Sequence, residues 1–277
     1  MTTQNDILPI AIVSPHGGLG IPPELNGRIA LTPEQIFNEA DAYVDEIFDF
    51  SGKVLYYETF PYSRGIVDLN RPKDGQFYHR VGDGIVKEQT SYGNKVFLPG
   101  HEPDEALQNH LIDTYWQAWH NKLEEIANDT RVKLVIDAHS MAGTGPSNYE
   151  NPHQTRPRLM VGNMGGENGA VREELGSVTA SPEFSCWLAA ELGQALGHLD
   201  PWSEAGEKSA VNKPYRGGWD IYAHGGKNQP WVMIEISRAM YIGHQEADSP
   251  IVPLNEERIS ALREGIWSVF CKAVDRL

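Results

Sequence analysis

Two histidines and a glutamate stand at or near the ends of three apolar runs that are far apart in the chain. His16 follows I-L-P-I-A-I-V-S-P, His139 interrupts V-K-L-V-I-D-A-H-S-M (Val132 to Met141), and Glu235 is the one acid in W-V-M-I-E-I-S (Trp231 to Ser237). Two neutral imidazoles and one carboxylate are the usual protein ligands of a catalytic zinc that keeps a fourth position for water. Such an ion lowers the pKa of bound water to about 7 and so supplies hydroxide for attack on a carbonyl. Asp41 is an alternative third ligand, which leaves Glu235 to act as the base that takes a proton from that water. Ser140, His139 and Asp137 suggest a rival hydrolase triad. Adjacent residues of a strand point to opposite faces, however, so Ser140 and His139 are badly placed for a nucleophile–base bond. Asp137 lies two residues from His139 on the same face, where it can orient the imidazole.

These side chains need elements to converge. Ile7–Ser14, Val54–Phe60, Val132–Ala138, Arg158–Asn163 and Trp231–Ser237 read as strands, several apolar enough to be buried on both faces. Thr32-Pro33-Glu34-Gln35 has the form of a capping box with proline at the first helical position, predicting a helix that runs to about Phe50. On that helix Asp41 falls at the edge of the apolar stripe beside Phe37 and Phe48, and Asp45 lies further towards solvent. A second helix is expected from about Glu102 to Asn128, with Leu107, Leu111, Tyr115, Ala118 or Trp119, Leu123 and Ile126 facing inward. It carries His110 and His120, and a single helical histidine is more often structural than a ligand. Further helices are expected from Ser181 to about Leu196 and from Asn255 to the end. Residues 73–102, Ala142–Pro157, Met164–Val178 and Glu204–Gly226 read as loops, and the stretches 73–102 and 142–180 are expected to border and shape a site. Gly17, Gly18 and Gly20 lack the spacing of a phosphate-binding loop. The expectation is one α/β domain over residues 1–277, a mixed, mostly parallel sheet flanked by helices.

The net charge of −15 argues against nucleic acid, whose phosphates need clustered Lys and Arg. An anionic substrate would require a few arginines to make a local positive spot in this acidic envelope. Two cysteines, Cys186 and Cys271, support neither a disulfide framework nor a thiolate metal site, as expected for a reducing cytoplasm. No secretory pattern opens the sequence, and no apolar run approaches the length of about eighteen residues needed to cross a membrane.

The chain resembles the N-formylglutamate amidohydrolase (N-formylglutamate deformylase) family, zinc hydrolases similar in fold to the zinc carboxypeptidase and aspartoacylase group. The similarity runs in order through S-P-H-G-G (Ser14 to Gly18), Asp41, Y-S-R (Tyr62 to Arg64), V-D-L-N-R-P (Val67 to Pro72), D-A-H-S (Asp137 to Ser140), Y-R-G-G (Tyr215 to Gly218) and Glu235, and so spans most of the length. It implies a zinc carboxypeptidase-like fold, phosphorylase/hydrolase-like in the wider sense. It also implies one Zn2+ on His16, Asp41 and His139, with Glu235 as general base. Arg64, Asn70 and Arg71 would hold the carboxylates of a small anionic N-acyl amino acid, and guanidinium groups suit that task. Arg216 and His224 are further substrate-side candidates, and His120 matches a family position with no role attached. The carboxypeptidase pattern has an acid three residues after its first histidine, where this chain has Leu19. The carboxylate ligand must then come from elsewhere, from Asp41, Asp45 or Glu24. The implied reaction is hydrolysis of N-formyl-L-glutamate to L-glutamate and formate. The alternatives are a metallohydrolase for another N-acyl amino acid or small peptide, and a catalytically silent dicarboxylate-binding protein.

Overall fold

In the computed structural model, which describes residues 7–73, 83–147, 152–199 and 208–277, the apolar runs become strands covered on both faces. The elements in order are β1 (Leu8–Ser14), α1 (Pro33–Glu39), α2 (Val44–Ile47), β2 (Val54–Thr59), α3 (Glu105–Leu111), α4 (Gln117–Asn128), β3 (Leu134–Met141), β4 (Leu159–Gly162), α5 (Pro182–Leu196), β5 (Ala210–Val211), α6 (Trp219–His224), β6 (Trp231–Ser237) and α7 (Glu256–Arg276). One sheet joins the strands in the order β2-β1-β3-β6-β4-β5. All neighbours are parallel except β6 and β4, which run antiparallel. The chain goes from β1 to β2 on one side and then returns to β3 on the other. A crevice therefore opens at the C-terminal ends of β1 and β3, where open α/β sheets bind ligands.

Strand alternation divides each run between two cores. Leu134, Ile136 and Ala138 of β3, with Val232, Ile234 and Ile236 of β6, pack against α5 and α7 through Leu188, Leu192, Leu262, Ile266 and Phe270. Val135 and Met141, with Trp231 and Met233, face α4 through Trp119, Leu123 and Ile126. On this second face the last residues of the central strands are polar. His139 lies directly opposite Glu235, and Asp137 opposite Met233 on one side and Val13 on the other. The period of two thus sends Asp137, His139 and Glu235 to one face and Ser140 to the other.

Two predicted helices are broken. The capping box starts α1 as expected, with Gln35 N donating to Thr32 Oγ1 and Thr32 N to the Gln35 side chain. The chain leaves the helix at Ala40 (ψ 162°) and restarts only after Tyr43, which is left-handed at φ 63°, a conformation that costs a non-glycine residue about 1–3 kcal/mol. Tertiary bonds replace the helical ones. Asp41 N donates to His16 O at 3.0 Å, and Arg238 Nη1 donates to the carbonyls of Asn38 and Ala40, each at 2.7 Å. In the second helix, residues Ile112–Trp116 form a wide π turn between α3 and α4. That turn inserts one residue into the stripe, so the buried positions pass from Leu111 to Trp116 and Trp119, and Tyr115 is only half-buried.

The passage expected to be loop around residues 204–226 contains β5 and α6, of two and six residues, both too short to show a period. Its residues 204–207 lie outside the described residues, as do 74–82 and 148–151 of the two loops expected to border a site. No helix among the described residues is long and apolar enough to cross a membrane.

Candidate metal centre

The crevice is lined with polar side chains that sequence distance had separated. His16 leaves the end of β1, Asp41 sits in the break between α1 and α2, and His139 stands on β3. All three are buried, and their ligand atoms lie within 4.8 Å of one another. Among the described residues His16 Nδ1 has no hydrogen-bond partner, and Asp41 Oδ2 lies 3.8 Å from it. The same Oδ2 lies 3.0 Å from His139 Nδ1 and accepts from Ser140 N at 3.0 Å. Each imidazole turns its far nitrogen to a buried carboxylate: His16 Nε2 to Asp68 Oδ1 at 2.8 Å, and His139 Nε2 to Asp137 Oδ1 at 2.9 Å. This is how metal-binding histidines are oriented, with the nitrogen that is not coordinating held by an acceptor.

The donor set fits a cation. A neutral imidazole carries one proton, yet both nitrogens of His139 face carboxylates, so one of its contacts calls for a second positive charge, proton or metal ion. The pKa directions agree. Burial opposes charge on His139, but Asp137 and Asp41 outweigh it and hold the imidazole well above its ordinary value. Burial, with Arg64 nearby, lowers His16 to about 3. Asp41 is drawn to about 2 against its burial, by His139 and His16. Glu235, beside His139 in register, is raised to about 7 by burial and by the Asp41 charge, with His139 pulling the other way. Its Oε2 is buried with no hydrogen-bond partner among the described residues. An unpaired carboxylate with a near-neutral pKa is suited to proton transfer.

Of the three acids left open for the carboxylate ligand, Asp41 alone joins the two histidines among the described residues. Asp45 is half-buried rather than turned to solvent. Ser14 Oγ donates to it at 2.6 Å, burial raises it to about 6, and a Cβ on Gly17 would collide with it at 2.2 Å. Glu24 accepts from Tyr115 Oη at 2.8 Å. Gly18 packs against the Phe60–Pro61 backbone, where a Cβ would lie 2.2 Å from Phe60 O. Its glycine permits close approach of the His16 turn to the segment that leads to Asp68.

Arg64, Asn70 and Arg71 line the same cavity as the histidines and Glu235, but each is also held by the protein. Arg64 Nη2 and Arg71 Nη2 reach Asp68 Oδ2 at 3.1 and 3.4 Å. Asn70 Oδ1 accepts from Asp220 N at 2.8 Å, and its Nδ2 is 3.3 Å from His139 Nε2. Arg216 and His224 do not line the cavity. Arg216 donates to Met164 O at 3.2 Å, and it is the backbone of the following Gly217 and Gly218 that forms the wall. His224 lies 2.9 Å from His120 Nδ1, and His120 Nε2 donates to Leu69 O at 3.0 Å. The pair thus props up the Asp68–Arg71 segment from behind.

Sequence reasoning missed Asp68 as the partner of His16, although it had marked the D-L-N-R stretch. It also missed Lys87, whose Nζ is 3.2 Å from Asp68 Oδ2 and which also pairs with Asp83. Tyr92, Arg156 and Arg238, which line the cavity too, carried no periodic or motif signal.

The model of the family described as N-formylglutamate amidohydrolase matches residues 8–242. N-formylglutamate deformylase of Pseudomonas aeruginosa is 23% identical over 97% of this chain and 95% of its own length. The Pseudomonas putida deformylase is 23% identical over 86% of this chain and 84% of its own. Among solved structures, N-formylglutamate amidohydrolase from Ralstonia eutropha superposes with a TM-score of 0.70 at 20% identity, covering 97% of this chain and 94% of that one. A protein from Agrobacterium tumefaciens does so at 0.59 and 17% identity, covering 97% and 91%. The match over residues 8–242 takes in His16, Asp41, Asp68, His139 and Glu235, and the chain belongs to the N-formylglutamate amidohydrolase family.

Proposed function

We propose that the chain hydrolyses the amide bond of N-formyl-L-glutamate, giving L-glutamate and formate, with one zinc ion held by His16, Asp41 and His139. The observation that carries the reading is the buried His16–Asp41–His139 group with Glu235 directly beside His139 on the neighbouring strand. The deformylase names of the Pseudomonas relatives support the choice of substrate. Zinc in such a site supplies a Lewis acid and lowers the pKa of water. The rest is done by the chain's own groups. Asp68 and Asp137 hold the imidazoles with Nδ1 turned towards Asp41. Glu235 takes a proton from the attacking water through its unpartnered Oε2 and, as the carboxylic acid, passes a proton to the departing amide nitrogen. Arg64, Asn70 and Arg71 on the cavity wall orient the substrate's carboxylates.

A Glu235→Gln variant is expected to lose about 10²–10⁴-fold in kcat while binding zinc as the parent does, since Glu235 is assigned as base and not as ligand. Formate release and metal content measured on the same sample test both halves. Full activity in the variant overturns the base. Turnover of N-acetyl or N-carbamoyl amino acids in preference to N-formylglutamate overturns the substrate.

A further inference from the structure

The cavity contains a cation that is not committed to an acid. Arg238 follows Glu235 by three residues, in the short 3-10 turn after β6, and is only 5% exposed. Its Nη1 is spent on the carbonyls of Asn38 and Ala40. The opposite edge of the guanidinium, Nε and Nη2, is not. Nε is buried without a hydrogen-bond partner, and no ion pair joins Arg238 to an acid among the described residues, whereas Arg64 and Arg71 both rest on Asp68. Tyr92 brings a second buried group, its phenol oxygen, that has no hydrogen-bond partner among the described residues. Tyr92 is carried by a loop that Glu39 holds in place, accepting from Ser91 N at 2.9 Å and from Ser91 Oγ at 2.8 Å. Tyr92 and Arg238 both line the cavity that contains His16, Asp41 and His139; the Arg238 charge reaches the Tyr92 phenol, as the carboxylates of Asp41 and Glu39 reach Arg238 without an ion pair being formed.

A buried guanidinium without a counter-ion is costly, and the cost is removed by an anion that meets it edge-on. The Nε–Nη2 edge is the one that pairs with both oxygens of a carboxylate, and a phenol O–H beside it can donate a third bond. We infer that Arg238 and Tyr92 form a carboxylate subsite that binds one of the two carboxylates of the substrate. The inference takes its substrate from the hydrolase reading above. It differs from that reading in placing the anchor on the β6 side of the cavity, away from the arginines that Asp68 already occupies.

Calorimetric binding of glutarate to the zinc-loaded protein tests the subsite without any turnover. Tyr92→Phe removes one oxygen, and is expected to weaken glutarate binding about tenfold and leave the thermal midpoint and the zinc content unchanged. Arg238→Lys keeps the charge and loses the fork, and is expected to weaken binding at least as much. Unchanged glutarate affinity in both variants, or no glutarate binding by the parent, overturns the subsite. In turnover, Tyr92→Phe should raise KM for N-formyl-L-glutamate and leave kcat close to the parent's. The KM penalty should vanish with N-formyl-L-glutamine if the fork holds the side-chain carboxylate, and with N-formyl-L-isoglutamine if it holds the α-carboxylate. A penalty that persists undiminished with both overturns the inference. A parent that binds glutarate through these residues but hydrolyses no N-formyl amino acid overturns the hydrolase reading and leaves the subsite standing.

Discussion

The two histidines of the metal group have ring centroids 4.7 Å apart, and each is backed by a carboxylate, yet their surroundings are opposite in charge. Asp68, behind His16, lies within 3.1–3.4 Å of Arg64, Lys87 and Arg71. Burial works against its charge, but Arg71 and Lys87 overcome it and hold the carboxyl well below the usual range. Asp137, behind His139, has no such escort. Its Oδ2 is unpartnered among the described residues, and it lies close enough to Asp220 to help raise that acid. One half of the site thus keeps its carboxylate ionised through protein cations. In the other, the group that faces the carboxylate is His139, at 2.9 Å.

The largest test of that contrast is Asp68→Asn. It would strip the shared anion from two buried cations, Arg71 and Lys87, and the half-buried Arg64, and breaking a buried pair in this way costs about 3–5 kcal/mol. Chemical denaturation of the metal-free protein at pH 7 should show a loss of that size. Because the folded pKa of Asp68 is depressed, its contribution is present above the unfolded value near 4 and is lost as pH falls below it. The difference between parent and variant should therefore shrink in acid. Asp137→Asn should act elsewhere. Zinc affinity should fall about 10–100-fold, as it does when the acceptor behind a metal-bound imidazole is lost. The metal-free protein should lose less than Asp68→Asn does, because one cation loses its partner rather than three and repulsion with Asp220 is relieved. Equal destabilisation by the two variants would show that the halves do not differ as described.

Much of this arrangement could be read from residue types. A parallel sheet covered on both faces leaves long apolar runs, so β1, β2, β3 and β6 stand out, and the acid or imidazole at the end of a run marks the crevice. The period of two placed Asp137 on the His139 face and removed Ser140 from contention. Asp41 was picked out by a helix face that does not exist. Asp41 meets the two histidines because the chain breaks there, and that break is made by Arg238 and His16, 197 and 25 residues away from Asp41 in the chain. No local pattern carries such a cause. Asp68 was hidden for the same reason, since its bond to His16 spans 52 positions and depends on Gly18 admitting the Phe60–Pro61 backbone. Arg216 stands off the cavity wall, which is made there by the two glycines that follow it.

The smallest expected effect probes the His139 half by itself. Asp220 is fully buried and accepts from Trp119 Nε1 at 3.0 Å, a bond that an asparagine oxygen can also accept. Burial first, and Asp137 second, raise its carboxyl well above the ordinary value. A group with a raised folded pKa binds its proton more tightly in the native state than in the unfolded chain. Its burden on stability is absent below the unfolded pKa near 4 and grows as pH rises from there towards the folded value. Asp220→Asn removes the titration, so the variant should match its parent in acid and exceed it at pH 7–8 by about 1 kcal/mol. Denaturation midpoints measured from pH 4 to pH 8 would show the two curves separating upward, the reverse of the Asp68→Asn pair, where the variant falls below its parent as pH rises. If Asp220→Asn instead loses stability at neutral pH, Asp220 is ionised there. The His139 half would then hold two charged acids behind one imidazole, and its charge balance would have to come from a cation other than His139.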